Sequence, residues 1–279
     1  MNHLPQNLSG ATSDEQLLDL WLSGRPPASK TAYRPVALKF LQELPNGLQG
    51  ATATQVLGWA ESLNGMPATV ARKISTIKSL LSFGHRTGYL VFNIGLILKA
   101  PKVPDTLNER IIEEEGVEQV INAADHGRNK TLIRFLYASG VRIAEAVGLR
   151  FKDLQDFRVT VHGKGRRTRT IMLPSTIADE LRALRKKQDK DDAPIFKSLR
   201  GRQLSTRDAR RIVKRTGLEA GVKAWPHLFR HCHASHAMQS GASLILISKT
   251  LGHQNIATTS RYLHARPQDG SSRFLRLVK

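Results

Sequence analysis

The chain has 279 residues and a formal net charge of +20, from 43 lysines and arginines against 23 aspartates and glutamates. The length accommodates two domains with real hydrophobic cores, and the charge exceeds what solubility requires, so it predicts a polyanionic partner. The single cysteine, Cys232, excludes an intrachain disulfide, and the sequence has no long apolar run and no signal-peptide pattern. We therefore expect a cytoplasmic protein without a membrane partner. The excess positive charge predicts that it is nucleoid-associated within that compartment.

The first hundred residues predict a helical domain. Residues 1–12 are polar and are expected to be flexible, and Ser13 is placed to cap a first helix, which the pair Pro26-Pro27 ends. Apolar residues at helical spacing predict three more helices. These cover residues 29–44, 54–63 and 67–87.

The fourth of these helices has two contrasting faces. An apolar stripe at four-three-four spacing, formed by Val70, Ile74, Ile77 and Leu81, predicts its buried side. Its other face is polar, and on an isolated helix that face would simply be solvated. The polar face carries Arg72, Lys73, Ser75, Thr76 and Ser79.

A linker separates this domain from the rest of the chain. Residues 99–108 contain two prolines and two lysines without periodicity, so domains are predicted over 13–98 and 109–279. In the second domain we expect a helix opening at Glu113 and a β-hairpin over 159–173. Further helices are predicted at 130–138, 143–149, 175–187, 205–220, 226–240, 243–251 and 257–264.

The positive charge is concentrated in the second part of the chain. Residues 1–100 carry nine lysines and arginines against five acidic residues, whereas residues 101–279 carry 34 against 18. A solvated surface is usually mixed in sign, so this excess favours a nucleic-acid partner over plain solvation.

Two basic motifs lie early in this second part. Arg142 follows Gly140 at the start of an apolar-periodic stretch, and Glu145, three residues on, can hold its guanidinium in place. Lys164 lies in the Gly-Lys-Gly tip of the predicted hairpin, where it is exposed and mobile enough to reach a ligand. An ordinary turn lysine is the alternative interpretation of Lys164.

A third group of polar residues lies between residues 227 and 262. His227 and Arg230 are three apart and share a helix face, and Pro226 suits the first helical position, which places His227 beside the positive end of the helix dipole. Such an end attracts phosphate. His253 and Tyr262 follow, and a phenol, with a reference pKa of about 10, needs cationic neighbours to act as a nucleophile.

Taken in order, Arg, Lys, His-x-x-Arg, His and Tyr resemble the tyrosine recombinase family, which includes phage integrases, Xer recombinases and Cre-like enzymes. The resemblance runs from Asn108 to His264, and five motifs in this order are a strong signal although each alone is weak. It implies a mainly α fold with a small β-hairpin or sheet. The N-terminal part would be a four-helix core-binding (SAM-like) domain, and the C-terminal part a mixed α/β catalytic domain.

The resemblance also implies a role for each motif residue. The implied catalytic set is Arg142, Lys164, His227, Arg230, His253 and Tyr262, with Glu145 in support. Tyr262 would form a 3′-phosphotyrosyl link to DNA while His227 takes its proton and Lys164 protonates the leaving oxygen. DNA contacts are expected from the polar face of the fourth helix and from three hairpin arginines, Arg166, Arg167 and Arg169.

The implied reaction is site-specific recombination, in which two duplexes exchange strands without a cofactor. Its implied partners are a double-stranded DNA site with inverted arms, three further copies of the chain in a tetramer on DNA, and possible accessory DNA-bending proteins. Free in solution, the chain would be a monomer or weak oligomer. Two other functions remain open: a type IB-like topoisomerase, and a DNA-binding regulator that no longer cleaves.

A metal site is the main alternative for the histidine cluster. His227 and His231 are four apart, as are Cys232 and His236, but the two pairs lie on different faces, and Arg230 between them would repel a cation. We therefore expect no metal. His231 and His236 are predicted to be hydrogen-bonded or packing residues, and Cys232 a small buried filler.

Overall fold

The computed structural model describes residues 7–104, 111–125, 127–163, 168–253, 255–260 and 262. The chain divides into two compact units, Met1–Pro104 and Asp105–Lys279. Each unit has a hydrophobic core of its own. Across the described ranges, every helix is too short or too polar to cross a membrane.

Four helices build the N-terminal unit. They are α1 (Asp14–Ser23), α2 (Pro27–Gln42), α3 (Ala53–Glu61) and α4 (Pro67–Arg86), and a 3-10 turn follows at Ile94–Ile97. Ser13 caps α1 by accepting a hydrogen bond from the Gln16 N–H, which confirms the predicted start. Helix α2 begins earlier than predicted because Pro27 has the backbone angle that the first helical position requires.

The core of the N-terminal unit is built mainly from α1, α2 and α4. Leu17, Phe40 and Ile77 are fully buried, one from each of these helices. The Phe40 ring packs edge-on against Trp59 of α3, with ring centroids 4.8 Å apart. Because burying apolar surface stabilises by roughly 25 cal/mol per Å², this shared core holds the four helices together.

The C-terminal unit is also mainly helical. Its described helices are α5 (Glu114–Ala123), α6 (Arg128–Ser139), α7 (Ile143–Gly148), α8 (Ser175–Ala183), α9 (Thr206–Glu219), α10 (Pro226–Gln239), α11 (Leu244–Leu251) and α12 (Ala257–Ser260). Helix α6 packs against α8 and α10, while α5 and α7 pack against α9. Each helix predicted here has an observed counterpart, although α12 is described only as far as Ser260.

A small antiparallel sheet of order β1-β2-β3 completes this unit. The predicted hairpin is present as β2 (Arg158–His162) and β3 (Thr168–Met172), with Val161 opposite Arg169. A further strand, β1 (Leu154–Gln155), pairs with the start of β2 and was not predicted. Two residues are too few for an alternating pattern, so only the tertiary pairing reveals this strand.

A glycine turn joins α6 to α7 and thereby places Arg142. Gly140 ends α6 with φ +61°, in the left-handed region that favours glycine. A Cβ at this position would come within 2.7 Å of side-chain atoms of His233 and Leu251. Both the backbone conformation and the packing therefore require glycine here.

Replacing Gly140 by alanine should destabilise the C-terminal unit. The left-handed conformation costs a non-glycine residue about 1–2 kcal/mol, and the contacts with His233 and Leu251 add to that cost. Gly148, the last residue of α7, is the matched control because a Cβ there meets no atom within 4 Å. Alanine at Gly148 should be neutral or stabilising by about 0.5–1 kcal/mol. Urea unfolding of both variants measures the difference, and equal midpoints would contradict this account.

Candidate active site

Arg142 lies at the start of α7, held by an ion pair with Glu145. Its backbone N–H donates to Glu145 Oε2 at 2.9 Å, and its Nη1 donates to Oε1 at 3.0 Å. The contact expected from their three-residue spacing is therefore present. The Glu145 side chain is 6% exposed and that of Arg142 is 44% exposed. The carboxylate thus anchors the guanidinium from the protein side and leaves its outer face open to solvent.

Arg169 binds the same carboxylate from strand β3. Its Nη1 and Nη2 donate to the two Glu145 oxygens at 3.1 and 2.8 Å, and its Nε donates to the Thr250 carbonyl at 2.7 Å. The structure thus gives Arg169 internal partners in place of the predicted DNA phosphate. The physical reason is strand alternation: Arg169 lies opposite Val161 and shares the inward face of β3 with the buried Ile171.

These contacts determine the charge state of Glu145. Burial raises the pKa of the carboxyl, but hydrogen bonds from Arg169 and Arg142 outweigh burial and hold the pKa below its usual value. Glu145 is therefore a carboxylate at neutral pH. Its single negative charge ties α7 and β3 together beneath the exposed face of Arg142.

Arg230 lies on α10 and is almost fully buried, with 4% of its surface exposed. Its Nη1 donates to the Gly140 carbonyl at 2.7 Å and its Nη2 to the Leu251 carbonyl at 2.8 Å. Gly140 follows α6 and Leu251 is the last residue of α11, so both carbonyls lie at negative helix ends. Burial and the nearby charge of Arg142 lower the pKa of Arg230 to about 10, which still leaves it charged at neutral pH.

His227 begins the same helix, one turn before Arg230. Pro226 occupies the first helical position, as predicted. His227 is solvent-exposed, and partial desolvation together with the charge of Arg230 lowers the pKa of its imidazole. A neutral imidazole is the form that can accept a proton or a hydrogen bond.

His253 follows α11, just after the left-handed glycine that ends that helix. Its Nδ1 lies 2.7 Å from the Thr259 hydroxyl, so α12 supports the ring. Burial lowers the pKa of His253 to about 4, with further contributions from the charges of Arg230, Arg142 and Arg169. At neutral pH His253 is therefore an uncharged hydrogen-bonding group.

Tyr262 is 3% exposed and packs in a small cluster with residues of α10 and α11. Its hydroxyl lies 2.7 Å from Nδ1 of His231. His231 is therefore hydrogen-bonded, as predicted, and its partner is the phenol of Tyr262. The transfer of the tyrosine proton to His227 stays a prediction. The four-residue spacing of His231 from His227 is the sequence signal that could have suggested a shared face.

A cleft of about 800 Å³ opens beside these residues. It is lined by Arg142, Ala144, Glu145, His162, Gly163, Thr168, Arg169, Lys249, Gly252, His253, Asn255 and Thr258. His162, Gly163 and Thr168 are the described ends of the hairpin loop. Three predicted residues of that loop, Lys164, Arg166 and Arg167, lie outside the described residues.

The polar face predicted on α4 is narrower than expected. Arg72 and Ser75 are exposed and Lys73 is half-buried. Thr76 is buried and its hydroxyl donates to the Arg72 carbonyl at 2.9 Å, because α4 packs on its neighbours over a wider arc than the four-residue stripe indicated.

Ser79, on the same helix, is also less exposed than predicted. Its hydroxyl accepts hydrogen bonds from Arg25 at 2.8 Å and from the Trp21 indole at 3.4 Å. The contact to Arg25 and the packing on α1 explain why Ser79 is only half-exposed. Ser79 therefore ties α4 to the end of α1, and Thr76 and Ser79 no longer belong to the predicted DNA-contacting set.

Two further histidines of α10, His233 and His236, are hydrogen-bonded. His236 lies 2.8 Å from the Tyr137 hydroxyl through Nδ1 and 3.1 Å from the Ile112 carbonyl through Nε2. His233 Nδ1 lies 2.8 Å from the Tyr137 carbonyl. Cys232 is buried, as predicted. Within the described part of the chain, no group of three or more His, Cys, Asp or Glu residues could hold a metal ion.

Comparisons with known proteins identify the family of the chain. Residues 110–269 match the phage integrase family. The chain is 30% identical, over an alignment 286 positions long, to the tyrosine recombinase XerC of Corynebacterium glutamicum, covering 94% of this chain and 92% of that protein. It is also 30% identical over 258 residues to XerD of Oceanobacillus iheyensis, covering 84% and 86%. The chain belongs to the phage integrase family of tyrosine recombinases, enzymes of site-specific DNA recombination.

Solved structures share the fold. A lambda integrase fragment, residues 75–356, in a dimer bound to a COC′ core site superposes with a TM-score of 0.75 at 16% identity, covering 95% of this chain and 98% of that chain. XerH bound to its difH substrate before cleavage superposes with a TM-score of 0.71 at 22% identity, covering 95% and 83%. The predicted fold class, mainly α with a small sheet, is confirmed.

Removing Arg169 should destabilise the protein because it leaves the buried Glu145 carboxylate with Arg142 alone. Breaking one side of a buried ion pair costs about 3 kcal/mol, and we expect a loss of this size for Arg169→Met. Arg211→Met is the control, since its pair with Asp208 is exposed and such pairs contribute about 0–1 kcal/mol. Chemical unfolding measures both changes.

The double variant Arg169→Met with Glu145→Gln tests the same interaction. If the two side chains interact directly, the double variant loses clearly less stability than the sum of the single losses. Strict additivity would contradict the contact.

His253 should remain uncharged in the folded protein across pH 5–8, because its pKa is lowered to about 4. The unfolded chain binds a proton at an ordinary histidine pKa of about 6.5, whereas the folded chain does not. Stability therefore falls as the pH drops from about 6.5 towards 4. NMR titration of the His253 ring, compared with the urea-unfolded protein, measures this directly. A folded-state pKa near 6.5 would contradict the burial argument.

Proposed function

We propose that this chain cleaves and rejoins DNA through a covalent 3′-phosphotyrosyl intermediate on Tyr262. The observation that carries the proposal is an excess of positive charge around Arg142 and Arg230, with Arg230 close enough to the Tyr262 phenol to interact with it. The described residues lining the cleft include three cationic side chains, Arg142, Arg169 and Lys249, and a single carboxylate, that of Glu145. The charge of the buried Arg230 lies close enough to interact with that of Arg142. An anion such as a DNA phosphate relieves the repulsion between these two guanidiniums.

Arg142 and Arg230 are suited to stabilising the transition state. Negative charge grows on the non-bridging oxygens of the phosphate as the nucleophile attacks, and planar guanidiniums offer paired donors to it. Arg142 is held by Glu145, and Arg230 by the Gly140 and Leu251 carbonyls, so little reorganisation accompanies the reaction. His253, neutral at pH 7, would donate or accept a hydrogen bond at the phosphate.

The proposed reaction is a transesterification. The Tyr262 oxygen forms a bond to phosphorus, and the bond from phosphorus to the 5′-oxygen breaks, with Lys164 giving a proton to the leaving oxygen. The 5′-hydroxyl of a partner strand then attacks the phosphotyrosine and reseals the DNA. The covalent link conserves the energy of the phosphodiester, so strand exchange consumes no nucleotide.

The proposed partners are double-stranded DNA and further copies of the chain. A lambda integrase tetramer bound to a Holliday junction has the same fold, with a TM-score of 0.74. By analogy, four copies would join two duplexes, working in the compartment that holds the chromosome. The exposed Arg72 and Ser75, with Lys73, would contact the DNA backbone from α4. Arg166 and Arg167 are proposed to do so from the hairpin.

Covalent trapping tests the nucleophile. DNA from around the gene's own locus, carrying a nick next to the cleavage site, lets the short 5′-hydroxyl strand diffuse away and traps the adduct. Wild type should form an SDS-resistant protein–DNA adduct, and Tyr262→Phe should form none while binding DNA with unchanged affinity. Tyr137→Phe is the matched control, since it also removes a hydrogen-bonded phenol from this unit and should still form the adduct.

The outcomes separate the competing functions. An adduct formed by Tyr262→Phe would disprove the assignment of the nucleophile. Tight binding without any adduct on cleavable DNA would favour the non-cleaving regulator. Relaxation of supercoiled DNA that lacks a recombination site would favour a topoisomerase role.

A further inference from the structure

Helix α10 carries two histidines whose Nδ1 atoms each contact a tyrosine hydroxyl. His236 lies 2.8 Å from Tyr137, and His231 lies 2.7 Å from Tyr262. The geometry is similar, but only the second tyrosine is the proposed nucleophile. The first pair serves packing, because His236 is buried and its other nitrogen contacts a backbone carbonyl.

We propose that His231 is the general base of the reaction and accepts the Tyr262 proton as the phenol attacks. The inference rests on the proposed function and assigns the proton to His231 in place of His227. A phenol with a pKa near 10 is almost entirely protonated at neutral pH, so its attack needs an acceptor in contact with the oxygen. His231 has that contact, at the distance that proton transfer requires.

The proton and electron balance is simple. The O–H bond of Tyr262 breaks, its proton goes to Nδ1 of His231, and the oxygen lone pair forms the bond to phosphorus. The electron pair of the broken phosphorus–oxygen bond leaves with the 5′-oxygen, which takes a proton from the general acid. On religation each step runs in reverse, and His231 returns the proton to Tyr262.

The position of His231 suits this role. It is half-buried, which keeps bulk water from competing for the phenol, and its ring lies 6.4 Å from the ring of His227 between centroids. It is also on the same helix as Arg230, one residue away, so the base and one phosphate-binding guanidinium are carried by a single rigid element. The proposed general base, His231, and the phosphate-binding guanidinium of Arg230 are thus brought together when α10 folds.

Two substitutions at His231 separate proton transfer from positioning. Asn places an amide near the Nδ1 position and can hold the phenol by a hydrogen bond, but it cannot take a proton; Ala does neither. Single-turnover adduct formation on the nicked DNA should fall about 100-fold or more in both His231→Asn and His231→Ala. DNA affinity and the thermal midpoint should remain close to wild type. Added imidazole should restore part of the rate to His231→Ala, which a purely structural role would not allow.

His236→Asn is the matched control, because it alters the same kind of contact on the same helix. It should form the adduct within about threefold of the wild-type rate, well below the effect expected for loss of a general base. A His231→Asn variant as fast as wild type would overturn the base role, since hydrogen bonding alone would then suffice.

A measurement without DNA tests the contact itself. The ¹⁵N shift of His231 Nδ1 should change when Tyr262 is replaced by Phe, and an unchanged shift would overturn the proposal. Failure of the proposed function is seen separately, because a wild-type chain that forms no adduct is identified before any His231 variant is compared.

Discussion

The ion pairing of the buried Glu145 carboxylate with two arginines is the interaction on which the rest of the site depends. The carboxylate accepts hydrogen bonds from the backbone and side chain of Arg142 and from both terminal nitrogens of Arg169. Burying a charge costs free energy unless the charge is paired, so the Glu145 carboxylate is stable in the interior only with both arginines in contact with it. The start of α7 and the hairpin strand β3 are thereby fixed to one point.

A second set of contacts, centred on Arg230, brings three helices to the same place. Its guanidinium joins α10 to the carbonyls at the ends of α6 and α11. The carboxyl ends of helices carry partial negative charge, which makes a buried cation tolerable there. Arg169 reaches α11 as well, through the Thr250 carbonyl. Arg169 and Arg230 therefore hold these helices and the hairpin together through hydrogen bonds. The exposed face of Arg142 remains available, and the positive charge around it is in excess.

The histidines differ in their electrostatic setting because their neighbours differ. His253 is held neutral because burial, and then the charges of nearby arginines, lower its pKa, which suits it to hydrogen bonding. His231 faces a phenol, whose only acidic proton it is placed to receive. His236 and His233 face Tyr137 and serve the fold. Residue type alone does not distinguish these roles; the partner at hydrogen-bond distance does.

The sequence alone determined the family, the order of helices and the hairpin, because apolar periodicity, caps and motif spacing are local signals. It identified Arg142, Glu145, Arg230, His253 and Tyr262 as candidates. It could not place Arg169 or Thr76, whose direction depends on which face of their strand or helix is covered by distant neighbours. It also could not pair Tyr262 with His231, 31 residues away in the chain. Contacts between residues so far apart depend on how α10, α11 and α12 pack, and only the tertiary structure decides that packing.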